Sequence, residues 1–200
     1  MEQKYIYIIV TQTGTILSQI LKTITGAKYN HSSISLCRDI EKMYSFGRID
    51  PYNPVWGGFV QESINNGTFK RFKNTQAVII RAEITNQQYK EVNEYLNKLY
   101  NEREKYGYNY LGLILAGVKL KHKCKTRYYC SEFVRDTLVR FKIISSYKFP
   151  SVAKPIDFLN LENFETIYKG KLRDYPDTIK ETDRFIPYIT NINKRIKRVH

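Results

Sequence analysis

The unbroken apolar run Ile6-Tyr7-Ile8-Ile9-Val10, ended by Thr11-Gln12-Thr13-Gly14, constrains the fold more than any other segment of the chain. It is far short of the roughly 18 apolar residues of a membrane span, and it lacks the small-residue cleavage site of a signal peptide. It therefore reads as a buried first strand. Positions 16, 17, 20, 21 and 24 are apolar at helical spacing, with Gly26 as a stop. His31-Ser32-Ser33-Ile34-Ser35-Leu36 then alternates small polar with apolar residues, as a half-buried strand does. Met43-Tyr44-Ser45-Phe46 follows as a second short strand. The stretch from Arg48 to Gly58, with Pro51, Pro54, Gly57 and Gly58, reads as a loop.

Two further strands are expected at Gly58 to Glu62 and at Ala77 to Glu83. Thr85 with Gln88 three residues on fits a capping box, so a helix should start there and run towards Glu102. Its apolar positions Tyr89, Val92, Leu96 and Leu99 step by three and four, which buries one face. Tyr110 to Val118 reads as a short buried helix, and Ser131 to Phe141 as a helix with the stripe Phe133, Val134, Leu138 and Phe141. Pro150 and Pro155 break the pattern before a last strand at Phe164 to Tyr168. This order of elements predicts an α+β domain over residues 1–172, followed by a polar, basic extension over 173–200.

The chain carries 33 Lys and Arg against 19 Asp and Glu, a net charge of +14, which favours anionic surfaces or ligands. The basic residues are nevertheless spread out; only Lys194-Arg195-Ile196-Lys197-Arg198 is a tight cluster, and no nucleic-acid-binding motif accompanies it, which argues against a dedicated nucleic-acid surface. Cys37, Cys124 and Cys130 are too few, and odd in number, for a disulfide framework. A reducing cytoplasm is the expected compartment.

Cys130 sits just before the helix that starts at Ser131. At that place the free N–H groups and the positive end of the helix dipole lower a thiol pKa and can hold the oxyanion formed when a carbonyl is attacked. A buried structural cysteine is the alternative role. His31 opens a strand on which Ser33 and Ser35 share its face, leaving room beside the imidazole for a partner and a substrate; a surface histidine at a strand start is the plain alternative. Glu132 in the first helical turn is expected to act through the dipole and as a capping residue. His122, Cys124 and Cys130 form a rival constellation, three zinc-capable ligands within nine residues, needing His31 or Cys37 as a fourth and matching no standard finger spacing.

Taken together, His31-Ser32-Ser33-Ile34-Ser35-Leu36, Met43-Tyr44-Ser45-Phe46-Gly47-Arg48 and Tyr129-Cys130-Ser131-Glu132-Phe133-Val134 resemble the permuted NlpC-type papain-like superfamily. That group includes the YiiX-like hydrolases and, more distantly, the lecithin retinol acyltransferase-like enzymes. In the permuted group the histidine strand precedes the cysteine helix, and here His31 precedes Cys130 by 99 residues (130 − 31). The resemblance spans roughly residues 5 to 170, the length of one domain. It implies a permuted papain-like fold, an antiparallel sheet packed against helices with the nucleophile at a helix N-terminus. It further implies Cys130 as nucleophile, His31 as general base and a third polar residue orienting the imidazole. Ser45 and Tyr44 on the neighbouring strand are candidates for that role, and Glu62 one strand later is the first carboxylate within plausible reach. Tyr106, Tyr108 and Tyr110, upstream of the cysteine helix, and Ser33 would line the substrate cleft.

The chemistry implied is acyl transfer through a thioester, on an amide, peptide or acyl-lipid bond, with no cofactor and no metal. The alternative is a catalytically weak or inactive binding module holding an anionic ligand in the same cleft.

Overall fold

A computed structural model describes residues 3–13, 28–50, 52–53, 56–117, 120, 122 and 124–176. The helix expected over 16–24 and the basic cluster at 194–198 lie outside the described residues. The first strand, β1 (Lys4–Gln12), is followed by β2 (His31–Ser35), β3 (Met43–Arg48) and β4 (Gly57–Glu62). A five-residue helix α1 (Gly67–Arg71) leads to β5 (Gln76–Ile84) and the long helix α2 (Asn86–Asn101). Then come β6 (Gly107–Tyr108), α3 (Tyr110–Gly117), β7 (Arg127–Tyr128), α4 (Cys130–Arg140) and β8 (Glu165–Lys171). The strands form one sheet in the order β7-β6-β4-β3-β2-β1-β5-β8. Every pairing is antiparallel except β6 with β7. The protein is an α+β fold.

The opening apolar run is continuous because both faces of β1 are covered. Ile6, Ile8 and Val10 point into the larger core, where they meet Ile34, Phe46, Phe59, Val78 and Ile80 under α2 and α4. Tyr7 and Ile9 point the other way, into a smaller core with Met43, Phe69 and Ile79. β5 pairs with β1 from Lys4 to Gln12, and β2 pairs with it from Tyr7 to Thr11. A strand so enclosed can carry no solvated face, and its sequence shows none.

Helix α2 begins as its capping box dictates. The Thr85 hydroxyl accepts from the Gln88 N–H at 3.1 Å, and the Gln88 side-chain oxygen accepts from the Thr85 N–H at 3.0 Å. Val92, Leu96 and Leu99 are buried on the sheet as their spacing requires. The stripe on α4 behaves likewise: Phe133, Val134 and Leu138 are buried, with the Phe133 ring 5.5 Å from Phe46 and 5.4 Å from Phe59.

Three expectations need correction. Helix α3 is apolar but not buried, since Leu111 and Ile114 are 55% and 65% exposed; only the side bearing Leu113 and Ala116 meets the core. An apolar composition without polar residues at any phase gives no signal of which side faces out. Packed structure also continues past residue 172. Leu172 and Tyr175 fill the smaller core, and the Tyr175 hydroxyl donates to the Arg38 carbonyl at 2.9 Å. Finally, β8 reaches Lys171 rather than ending at Tyr168, because it pairs along β5 as far as Gln76. No helix among the described residues is long and apolar enough to cross a membrane.

Candidate active site

Cys130 is the first residue of α4, and the chain reaches it from the short parallel pair β6–β7, which sets Tyr108 beside Tyr128. The preceding residue, Tyr129, is extended and gives the helix no side-chain cap. The first-turn N–H groups are thus not consumed by a capping hydroxyl or carboxylate. Those of Ser131 and, from β2, Ser32 instead point at the Cys130 sulfur. Packing of α4 on β2 and β3 brings this sulfur to the start of β2, 3.9 Å from the Asn30 carbonyl oxygen.

His31 opens β2 with its imidazole within hydrogen-bonding reach of the Cys130 thiol. Its Nε2 lies 3.0 Å from both Glu62 Oε1 and Oε2, so Nδ1 is the ring nitrogen left to the sulfur. The side chains of His31 and Glu62 are 13% and 11% exposed. The Ser33 hydroxyl donates to Glu62 Oε2 at 2.6 Å, a short charge-assisted bond that fixes the carboxylate.

Glu62 reaches His31 although β3 runs between their strands. The intervening strand offers only small residues there, Ser45 and Gly47. A Cβ placed on Gly47 would stand 3.3 Å from both Glu62 Oε1 and Ser45 Oγ, and 3.4 Å from Val60 Cγ2. The missing side chain keeps open the path by which the carboxylate passes over β3.

Proton affinities follow from this arrangement. Burial opposes a charge on His31, but Glu62 and the Cys130 sulfur outweigh it and push the imidazole up to about 10. Burial likewise opposes the Cys130 thiolate, and the hydrogen bond and charge of His31, with the Ser32 and Ser131 N–H groups, bring the thiol below its ordinary value. For Glu62, burial is overcome by His31, Ser33 and Ser45, so its carboxyl stays ionised below the usual range. Both shifts run towards a thiolate–imidazolium pair, with a carboxylate behind it.

Tyr108 completes the immediate surroundings. Its hydroxyl is within hydrogen-bonding reach of both the Cys130 sulfur and the Cys130 N–H; burial first, then the Cys130 charge, push its pKa well up. The phenol is therefore neutral, a donor beside the sulfur.

Of the residues singled out from the sequence, Cys130, His31, Glu62, Ser45, Ser33 and Tyr108 come together. Ser33 is fully buried and holds Glu62 rather than lining a cleft. Tyr44 points to the opposite face of β3, its ring 6.1 Å from Phe59 and stacked on it, so it does not orient His31. Tyr106 packs edge-on against Phe46 at 6.5 Å, at the rim of the core. Tyr110 lies against Tyr108, ring centroids 4.6 Å apart. Glu132 is buried in the first turn of α4. The zinc-like constellation does not assemble: among the described residues no three His, Cys, Asp or Glu side chains gather as a metal-holding set. Nothing in the linear order had marked Ser32, whose N–H reaches the sulfur, because a backbone donor leaves no trace in residue type.

Neither a model of a known protein family nor a curated protein matches the sequence of this chain.

Proposed function

We propose that the protein is a cysteine-dependent acyl-transfer enzyme, a hydrolase of the amidase or peptidase type or an acyltransferase, built on a permuted papain-like fold. The observation that carries this reading is the approach of the His31 imidazole to the Cys130 thiol at the start of α4, with both Glu62 oxygens 3.0 Å from His31 Nε2. Two further features support it: the histidine strand comes before the cysteine helix, and all three cysteines are free thiols, as in a reducing cytoplasm.

In this mechanism the Cys130 thiolate attacks an amide or ester carbonyl, forming a carbon–sulfur bond while the carbonyl electrons move to oxygen. The Cys130 N–H, with the Tyr108 hydroxyl beside it, receives that oxyanion. The carbon–nitrogen or carbon–oxygen bond then breaks, and the leaving group takes the proton held on His31. His31 next removes a proton from water, or from another acceptor, as it attacks the thioester. The carbon–sulfur bond breaks, the thiolate leaves with its electron pair, and the proton stays on His31, which restores the pair. Glu62 keeps the imidazole in place and stabilises its charge throughout.

The alternative is a catalytically weak or inactive binding module, and the contact of Glu62 with His31 weighs against it. One observation still favours it: Cys130 is only 2% exposed.

Alkylation by iodoacetamide at neutral pH separates the two readings. Cys37 is the proper internal reference, because burial and the nearby Asp39 raise its pKa. Cys124 is not, since hydrogen bonds from Thr126 lower its pKa independently of any active site. Cys130 should react faster than Cys37, and His31→Ala should slow it by about tenfold or more. Equal rates, unchanged in His31→Ala, would remove the catalytic reading.

A further inference from the structure

Arg48 ends β3 on the face that carries Phe46 and receives α4, opposite Gly57 of β4. Gly57 is a point of close approach: a Cβ there would lie 2.8 Å from both the Tyr110 hydroxyl and Tyr108 Cβ. Both tyrosines thereby settle on the β3–β4 ladder next to Arg48. The Arg48 Nη2 is buried and, among the described residues, has no hydrogen-bond partner. The groups acting on its charge are Tyr110, Arg71 and Tyr108, with no carboxylate among them. Burial, the largest influence, and the like charge of Arg71 both disfavour the guanidinium. Arg71 is itself spread over the Tyr52 ring at 4.2 Å.

A guanidinium with a buried N–H left unused, and with no carboxylate among the groups acting on its charge, makes an arrangement that an anion would complete. Its position is as informative as its charge. Tyr110 packs against Tyr108 at 4.6 Å, and the Tyr108 hydroxyl is within hydrogen-bonding reach of Cys130, so two tyrosines link the cationic corner to the thiol.

We propose that Arg48 and Arg71 form an anion subsite beside Cys130, and that the acyl compound taken by the thiol carries a carboxylate or phosphate group. The substrate assignment rests on Cys130 being a nucleophile; the subsite itself does not. Arg48, with a planar fork of N–H groups, binds the oxyanion, and Arg71 adds charge at its rim.

Two alkylating reagents that differ in charge test this on the intact protein. In both, the Cys130 sulfur forms a bond to the CH₂ carbon and iodide departs with the electron pair. Iodoacetate carries a carboxylate and iodoacetamide does not. The iodoacetate-to-iodoacetamide rate ratio at Cys130 should exceed that at Cys37 by about tenfold, the scale of one close charge pair in a partly buried site. Arg48→Gln should abolish the excess and Arg48→Lys retain part of it. Inorganic phosphate or acetate should slow alkylation of Cys130 by iodoacetate; a stronger effect of phosphate assigns a phosphate ester, and of acetate a carboxylate. Equal ratios at the two cysteines, or an excess unchanged by Arg48→Gln, overturn the subsite.

If Cys130 is inert to both reagents, the nucleophile reading fails and a second measurement decides the subsite. Trp56, the chain's single tryptophan, neighbours Gly57 and reports on this corner by fluorescence. A saturable change with inorganic phosphate that is lost in Arg48→Gln supports the subsite; no saturable change, or one that persists in Arg48→Gln, overturns it.

Discussion

Both carboxylate oxygens of Glu62 lie 3.0 Å from His31 Nε2, across a full intervening strand. A carboxylate held this way does more than orient a ring. In a site with little water it sets how tightly the imidazole keeps its proton, and through that proton how acidic the neighbouring thiol becomes.

Replacing Glu62 by Gln should therefore move the His31 pKa down from about 10 towards the ordinary 6.5. The Cys130 pKa should rise with it, because the cation that favours the thiolate is then lost sooner. Histidine ring signals in an NMR titration, with iodoacetamide rates at Cys130 measured in parallel, check both movements. A His31 pKa unchanged by Glu62→Gln would mean that the carboxylate does not control it.

Stability should depend on pH with opposite signs at the two ends. Glu62 has a folded pKa below its ordinary 4.5, so its contribution is present above 4.5 and is lost as the pH falls through the folded value. His31 has a folded pKa raised from 6.5 to about 10, so its contribution is complete below 6.5 and drains away as the pH rises to about 10. Urea unfolding midpoints should decline at the acid end and again between about pH 9 and 10. Up to 9 the lowered Cys130 thiol releases, in the folded chain, a proton that offsets the one His31 keeps. Glu62→Gln should flatten both declines.

Gly47→Val tests the passage over β3. Its new methyl groups would press on Glu62 Oε1, Ser45 Oγ and Val60, displacing the carboxylate from His31. A loss of about 1–3 kcal/mol in unfolding free energy is expected from the crowding. Alkylation of Cys130 should also slow. A variant that is destabilised but keeps native Cys130 reactivity would show that Glu62 reaches His31 by another route.

Phe133→Ala removes the ring that α4 sets between Phe46 and Phe59. The cavity should lower stability by about 3–5 kcal/mol, measured by chemical denaturation. At pH 6 Cys130 should become a poorer nucleophile as the helix start loosens from β2. Retention of full thiol reactivity in the folded variant would mean that docking of α4 does not position the sulfur.

Cys130 and His31 were legible in the sequence because each is announced locally: one lies at a helix start, the other heads a strand with a small-residue face. Strands β1 to β5 and helices α2 and α4 were legible for the same reason, since period and capping residues act over a few positions. The choice of Glu62 over Tyr44 was not. Tyr44 is nearer in sequence and sits on the adjacent strand, but pleating turns it to the Phe59 face. Glu62 reaches the ring only because Ser45 and Gly47 are small, a fact about three strands in register rather than about any one segment. The exposure of Leu111 and Ile114 was hidden too, because an entirely apolar helix carries no phase from which its outer side can be read. The two-residue strands β6 and β7 are too short to have a pattern of their own; what they do is set Tyr108 beside Tyr128, two residues from the thiol.

The reactive centre also has a place in time. Helix α4 and the start of β2 come from distant parts of the chain, and the proton shift between Cys130 and His31 exists only where the two meet. A chain synthesised just past residue 130, or one in which α4 has not yet docked, carries a thiol without the His31 contact. The lowered thiol pKa thus arises only once the tertiary structure closes. Thiol acidity at Cys130 is, in effect, a built-in certificate of completed folding.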